Sequence, residues 1–93
     1  MTKFTVRVEL HRASSDDYET LHDKMKSKGF KRTIAGGDGT EYQLPNAEYN
    51  YSGNITRSAV LELAYNAAKT VKNNPSVLVT ESAGRTWRGL DTI

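Results

Sequence analysis

The chain has 93 residues, a length that allows one domain with one hydrophobic core. Apolar residues make up 37% and charged residues 26% of the sequence, which is typical of a globular protein and excludes a disordered or fibrous one. The net charge of +2 does not indicate a polyanionic partner by itself, and the absence of cysteine excludes disulfides and thiol nucleophiles.

The first predicted element is a strand, because apolar and polar residues alternate from residue 4 to residue 11. The apolar row, which should face the core, is Phe4, Val6, Val8 and Leu10. The polar row contains Arg7, Glu9 and His11. This strand should therefore have one buried face and one solvated face.

A helix is predicted from Ser14-Ser15-Asp16-Asp17 to about Lys28, because a serine hydroxyl can cap free helical N–H groups and carboxylates suit the positive end of the helix dipole. Gly29 can supply the left-handed residue that ends it. The apolar stripe of this helix is Tyr18, Leu21 and Met25. We expect His22 at the surface or at its boundary.

Residues 30–35 are predicted to form a second strand, and the glycines of residues 36–39 permit the tight turn that follows. Pro45-Asn46 interrupts the next stretch. We therefore predict irregular chain over residues 40–44 and a regular strand over about residues 47–52.

The second helix begins after Asn54 or Thr56 and ends at Asn73-Asn74-Pro75. Its apolar stripe is Val60, Leu63, Ala64, Ala67, Ala68 and Val71. Residues 76–80 form a short last strand. The tail over residues 83–93 is polar and contains glycine, so we expect either an extra edge strand or a frayed end.

This order of elements predicts a single α+β domain over residues 1–93, with ferredoxin-like βαββαβ topology. Right-handed crossovers would place both helices on one face of a four-stranded antiparallel sheet. The first and third strands would be central. The other face of the sheet would be open and would carry Arg7, Glu9 and His11.

Glu9 and His11 are the candidate catalytic residues, with Arg7 beside them at a spacing of about 6 to 7 Å along the strand. A carboxylate or an imidazole can transfer protons in phosphodiester cleavage, and a guanidinium can stabilise the charge that develops. The alternative is a solvated face whose charges pair across strands.

Basic residues elsewhere can form a phosphate-binding rim with one aromatic side chain for base stacking. The candidate RNA-binding residues are Arg7, Arg12, Lys31, Arg32, Arg85, Trp87 and Arg88. Cations this sparse also serve simply as solubilising groups, so the rim requires that they cluster in space. Tyr49 and Tyr51 are predicted to pack instead, because the first strand lacks the aromatic partners of an RNA-recognition motif.

No motif in the sequence indicates a small-molecule cofactor or a metal site. Asp16, Asp17 and Glu9 could supply carboxylates to Mg²⁺, which leaves magnesium open, although helix capping explains the two aspartates more simply. The glycine-rich segment over residues 36–39 lacks the lysine and the following helix of a phosphate loop.

Residues 3–80 combine the first strand, the serine-capped helix followed by Phe30, the segment Gln43-Leu44-Pro45-Asn46, and the segment Glu48-Tyr49-Asn50-Tyr51 before a capped helix. In this layout they resemble the GhoS-type endoribonuclease antitoxins of type V toxin-antitoxin systems. It implies a ferredoxin-like fold and cleavage of a toxin messenger RNA. Similar ribonucleases tend to carry a carboxylate near the end of the first strand, where Glu9 falls.

We therefore expect an RNA-cleaving or RNA-binding regulator with messenger RNA as its partner, as a monomer or a homodimer. Met1 leads directly into a strand pattern without an apolar run, so we expect a cytoplasmic protein that does not contact a membrane. The rival hypothesis is a catalytically inactive interaction module that uses the open sheet face or an edge strand.

Overall fold

A computed structural model describes residues 1–93 and shows a small α+β fold with two helices and antiparallel sheets. The elements are β1 (Thr2–Glu9), α1 (Ser15–Ser27), β2 (Thr33–Ala35), β3 (Glu41–Gln43), β4 (Glu48–Gly53), α2 (Arg57–Lys69) and β5 (Ser76–Glu81). Neither helix has the length and apolar character needed to span a bilayer.

The five strands form two sheets, so the prediction of one four-stranded sheet is wrong. In the larger sheet, β1 lies in the centre, antiparallel to β4 on one side and to β5 on the other. The smaller sheet is the hairpin of β2 and β3. The central position of the first strand is therefore confirmed, whereas the predicted third strand, β4, is not central, because its only regular partner is β1.

After α1, the chain pairs with the edge strand β4 at one residue only and then moves away from the larger sheet. Lys31 pairs with Asn50 of β4 through two backbone hydrogen bonds, of 2.9 and 2.7 Å between N and O. Thr33 then pairs with Gln43, in a segment that we predicted to be irregular. The glycine turn over residues 36–39 allows this local hairpin, and local pairing competes with pairing along β4.

Both helices begin where the sequence predicts. The Ser14 hydroxyl accepts a hydrogen bond from the Asp17 amide at 3.2 Å, and the Asp17 carboxylate accepts one from the Ser14 amide at 3.0 Å. Thr56, rather than Asn54, caps α2 by accepting a hydrogen bond from the Ala59 amide at 3.1 Å. Gly29 follows α1 with φ of +91°, as a left-handed terminus requires.

The hydrophobic core lies between the two helices and one face of the larger sheet. It contains Phe4, Val6, Val8, Leu10, Leu21, Met25, Phe30, Tyr49, Val60, Ala64, Ala67 and Ala68. Tyr49 packs in this core as predicted, whereas Leu63, which belongs to the predicted apolar stripe of the second helix, is half-buried. His22 is buried, contrary to expectation. Its imidazole Nδ1 lies 2.6 Å from the Tyr49 hydroxyl, so a hydrogen bond satisfies the buried ring nitrogen.

The tail after β5 turns back across the protein and pairs with β3. The Gln43 amide donates to the Asp91 carbonyl at 2.8 Å, and the Ile93 amide donates to the Glu41 carbonyl at 3.1 Å. Trp87 packs edge-on against Tyr42, with ring centroids 5.5 Å apart. The tail thus neither adds an edge strand beside β5 nor remains unpaired.

Candidate nucleic-acid interface

The face of the larger sheet that lies away from the helices carries the predicted row, and we call it the outer face. Its residues are Thr5, Arg7 and Glu9 of β1, Glu48 and Asn50 of β4, and Ser76, Leu78 and Thr80 of β5. Arg7 lies between Glu48 and Leu78 in the strand register. The protein has one ion pair, between Arg57 and Glu81 at 3.7 Å, so the charges of the outer face do not pair across strands.

Glu9 and His11, at the end of β1, both lie beside Ser76, the first residue of β5. Glu9 is paired with Ser76 in the strand register, and the His11 Nε2 lies 2.8 Å from the Ser76 hydroxyl. A shallow groove of about 200 Å³ passes Arg7, Glu9 and Ser76. The structure therefore places a carboxylate, an imidazole and a guanidinium at one end of the outer face, all of them exposed to solvent.

Arg12 follows this group at the start of the connection to α1. Its backbone φ is +55°, in the left-handed region that residues other than glycine rarely adopt. The residue is exposed. Its guanidinium is therefore accessible one residue after His11, and the backbone conformation carries a cost in strain.

A cleft of about 320 Å³ lies over the part of the outer face that carries Thr5 and Glu48, where the tail and the hairpin approach it. Its apolar lining includes Ile34, Leu44 and Leu90. The Trp87 indole also lines it, and its charged lining includes Glu48, Arg85 and Arg88. This cleft combines an aromatic ring with charged groups of both signs.

Arg85 attaches the tail to the outer face. Its Nη1 donates to Asn50 Oδ1 at 2.8 Å and lies 3.4 Å from Thr5 Oγ1. Burial lowers the pKa of this guanidinium from its ordinary value, but an arginine remains charged near neutral pH. The two hydrogen bonds fix a cation at the edge of the cleft.

The remaining predicted basic residues divide between the two sides of the sheet. Lys31 is exposed and pairs with Asn50, which places it on the side of the outer face. Arg32 follows it, and strand alternation turns its side chain toward the helices. There the Arg32 cation lowers the pKa of His22, and its buried Nε has no hydrogen-bond partner. The structure therefore does not bring Arg32 together with the outer-face cations.

The pair of His22 and Tyr49 lies in the core, outside this interface. Burial lowers the pKa of His22, as does the Arg32 cation, while the carboxylates of Glu19 and Asp23 oppose that change. Burial also raises the pKa of the Tyr49 hydroxyl well above its usual value. Both groups are therefore neutral near pH 7, and the pair is structural.

Sequence reasoning missed three residues of the interface. Glu48 and Asn50 alternate with the predicted core tyrosines, so the same period of two could have placed them on the outer face. Ser76 gave no such signal, because its position beside Glu9 and His11 depends on the register between distant strands. No group of three or more histidine, aspartate or glutamate side chains is arranged to hold a metal ion.

Comparison of the chain with protein-family models finds no match, and comparison with the curated proteins finds none either.

Proposed function

We propose that the protein is an RNA-binding regulator that cleaves its target strand in the cytoplasm, in the manner of the endoribonuclease antitoxins that its sequence resembles. In this proposal the larger sheet is a ferredoxin-like sheet. Lys31, which pairs with β4, occupies the position of its fourth strand. One observation carries the proposal. The outer face combines a cleft lined by two arginines and an indole with a group of acid–base residues at the end of β1.

Cations border this face along its length and can follow an RNA backbone. Arg85 and Arg88 line the cleft, Arg7 lies on the central strand, and Lys31 lies at the edge beside β4. Arginine and lysine bind phosphate oxygens, while an aromatic ring stacks on a base whatever its sequence. Single-stranded RNA offers both groups, because its bases are not paired.

The residues at the end of β1 can carry out cleavage. Glu9 would accept the proton of the attacking 2′-hydroxyl, and a protonated His11 would donate a proton to the leaving 5′ oxygen. Arg7 would stabilise the negative charge that develops on the phosphate oxygens. The hydrogen bond between His11 and Ser76 supports this role, because it orients the imidazole.

Binding is tested by measuring the affinity for single-stranded RNA as a function of salt concentration. Each neutralised phosphate releases counterions, so the affinity should fall steeply with salt. Arg7→Ala and Lys31→Ala should each weaken binding and reduce the salt slope by about one. Lys69→Ala, which removes an exposed lysine of α2, is the matched control and should leave the slope unchanged. Absence of RNA binding at low salt would contradict the proposal.

Cleavage is tested with Glu9→Gln, which keeps the shape of the side chain but removes its charge. We expect the cleavage rate of a bound RNA to fall about 100-fold while binding is retained. Glu62→Gln on the exposed side of α2 is the matched control. An unchanged rate in a variant with a native amide spectrum would remove Glu9 from the reaction.

The free edge of β5 supports a second candidate, a module that pairs with another protein chain. This strand pairs with β1 alone, and Leu78 on it is 65% exposed. Unpaired strand edges and exposed apolar side chains favour association. Under this alternative, Leu78→Lys would abolish a self-association that is measurable by sedimentation, and the wild-type protein would bind no RNA.

A further inference from the structure

The cleft beside Trp87 has the dimensions of a site for a small planar group. Its volume of about 320 Å³ is at the lower end of the range of about 300 to 1,000 Å³ for ligand pockets. Its apolar lining and the adjacent indole favour a flat aromatic ligand over a chain of phosphates. A nucleobase is such a group.

Glu48 brings an acceptor into this cleft that the protein leaves unpaired. The residue is half-buried on β4, and its carboxylate takes part in no ion pair, because the single ion pair of the protein lies elsewhere. Removing a carboxylate from water is costly unless donors replace the lost water. A ligand that presents two adjacent N–H donors would meet this requirement.

Arg85 brings donors of defined orientation into the same cleft. Its Nη1 is held by Asn50 and Thr5, so the plane of the guanidinium is fixed. A guanidinium has five donors, and those on Nε and Nη2 remain for a ligand. They match a pair of acceptors on the edge of a planar ring.

From these features we propose that the cleft binds one guanine base of the RNA, which adds base specificity to the RNA binding proposed above and rests on it. Guanine presents the N1–H and N2–H₂ donors to a carboxylate and the O6 and N7 acceptors to an arginine. Adenine and cytosine would place a ring nitrogen acceptor against the Glu48 carboxylate. Uracil offers a single N–H donor between two carbonyls.

Binding is measured by the fluorescence of Trp87, because this residue is the only tryptophan of the chain and it lines the cleft. The intact protein is titrated with uridine octamers that carry one central guanine, inosine, 7-deazaguanine or adenine, and separately with guanosine monophosphate. We expect the guanine octamer to bind about 10- to 100-fold more tightly than the adenine octamer, as bidentate base contacts provide. Inosine lacks the 2-amino group, and it should bind about tenfold more weakly than guanine.

Glu48→Gln should abolish the preference of guanine over inosine, because the amide replaces one acceptor with a donor. Glu62→Gln is the matched control and should keep the preference. If Glu48→Gln does not fold, the series of base analogues on the wild-type protein still decides the question.

The outcomes separate the pocket from the function on which it rests. RNA binding without a base preference, or with a preference for another base, overturns the guanine pocket and leaves RNA binding intact. Quenching of Trp87 by guanosine monophosphate without any RNA binding supports guanine recognition and overturns the RNA function. Absence of any response to all ligands overturns both.

Discussion

The two faces of the larger sheet are covered in different ways. On the helix side, twelve buried side chains form one continuous cluster with α1 and α2. On the outer side, the hairpin and the tail cover only part of the sheet, with Ile34 and Leu44 buried outside that cluster. A few hydrogen bonds, including those of Gln43 and Ile93, hold the hairpin and the tail together.

This difference separates stability from the proposed binding within a small chain. The burial of apolar surface on the helix side supplies most of the free energy of folding. The outer side leaves a cleft and unpaired charges that a tightly packed layer would exclude. Regions with few buried contacts are also the ones that open locally.

The largest expected effect is that of Leu21→Ala in the helix-side core. Leu21 is fully buried, and truncation of a buried leucine costs about 2 to 5 kcal/mol out of a total of about 5 to 15 kcal/mol for a small domain. Urea denaturation should show this loss. Leu61→Ala on α2 is the matched control, because Leu61 is 37% exposed, and it should cost less than about 1 kcal/mol.

Ile34→Ala applies the same test to the outer region. Ile34 is buried, but we expect its truncation mainly to accelerate hydrogen exchange at the amides of Gln43 and Ile93, because the hairpin and the tail open separately. Equal losses of global stability for Leu21→Ala and Ile34→Ala would show that the two regions unfold as one unit.

The buried pair of His22 and Tyr49 should make the helix-side core sensitive to acid. Because the folded pKa of His22 lies below its unfolded value of 6.5, its contribution is complete above that pH and is lost as the pH falls toward the folded pKa. We expect the free energy of unfolding to fall by up to about 1.4 kcal/mol per pH unit in that window. The double variant His22→Phe with Tyr49→Phe removes both partners, and a slope that persisted in it would exclude this origin.

The smallest expected effect concerns Arg12, an exposed residue in the connection between β1 and α1. Replacing a left-handed residue with glycine removes about 1 to 2 kcal/mol of strain, while glycine costs about 0.5 to 1 kcal/mol in unfolded-state entropy. Arg12→Gly should therefore stabilise the fold by about 0.5 kcal/mol and weaken the RNA binding proposed above. Arg12→Lys keeps the charge, so its affinity for RNA should change less. Equal affinities for the glycine variant and the wild-type protein would separate Arg12 from the interface.

Part of the candidate site was predictable from the sequence. The alternation in β1 placed Arg7 and Glu9 on the face away from the core. Alternation with a period of two is visible within one strand, without knowledge of the strands that pair with it. The contact of His11 with Ser76 was not predictable, since it joins residues 65 positions apart in the chain. Arg32 was assigned to the RNA-binding rim on its charge alone, and only the pairing of Lys31 with Asn50 shows that it faces the helices.

The sequence by itself determined the elements whose signals are local. Ser14 caps α1 within the predicted segment, and Thr56 is one of the two residues predicted to cap α2, because capping depends on residues three positions apart. Only the tertiary structure decided that β2 pairs with β3 rather than along β4, and that the tail crosses the outer face to form the cleft. In each case alternative contacts between distant segments compete. The differences in free energy between these alternatives are not encoded in any local sequence pattern.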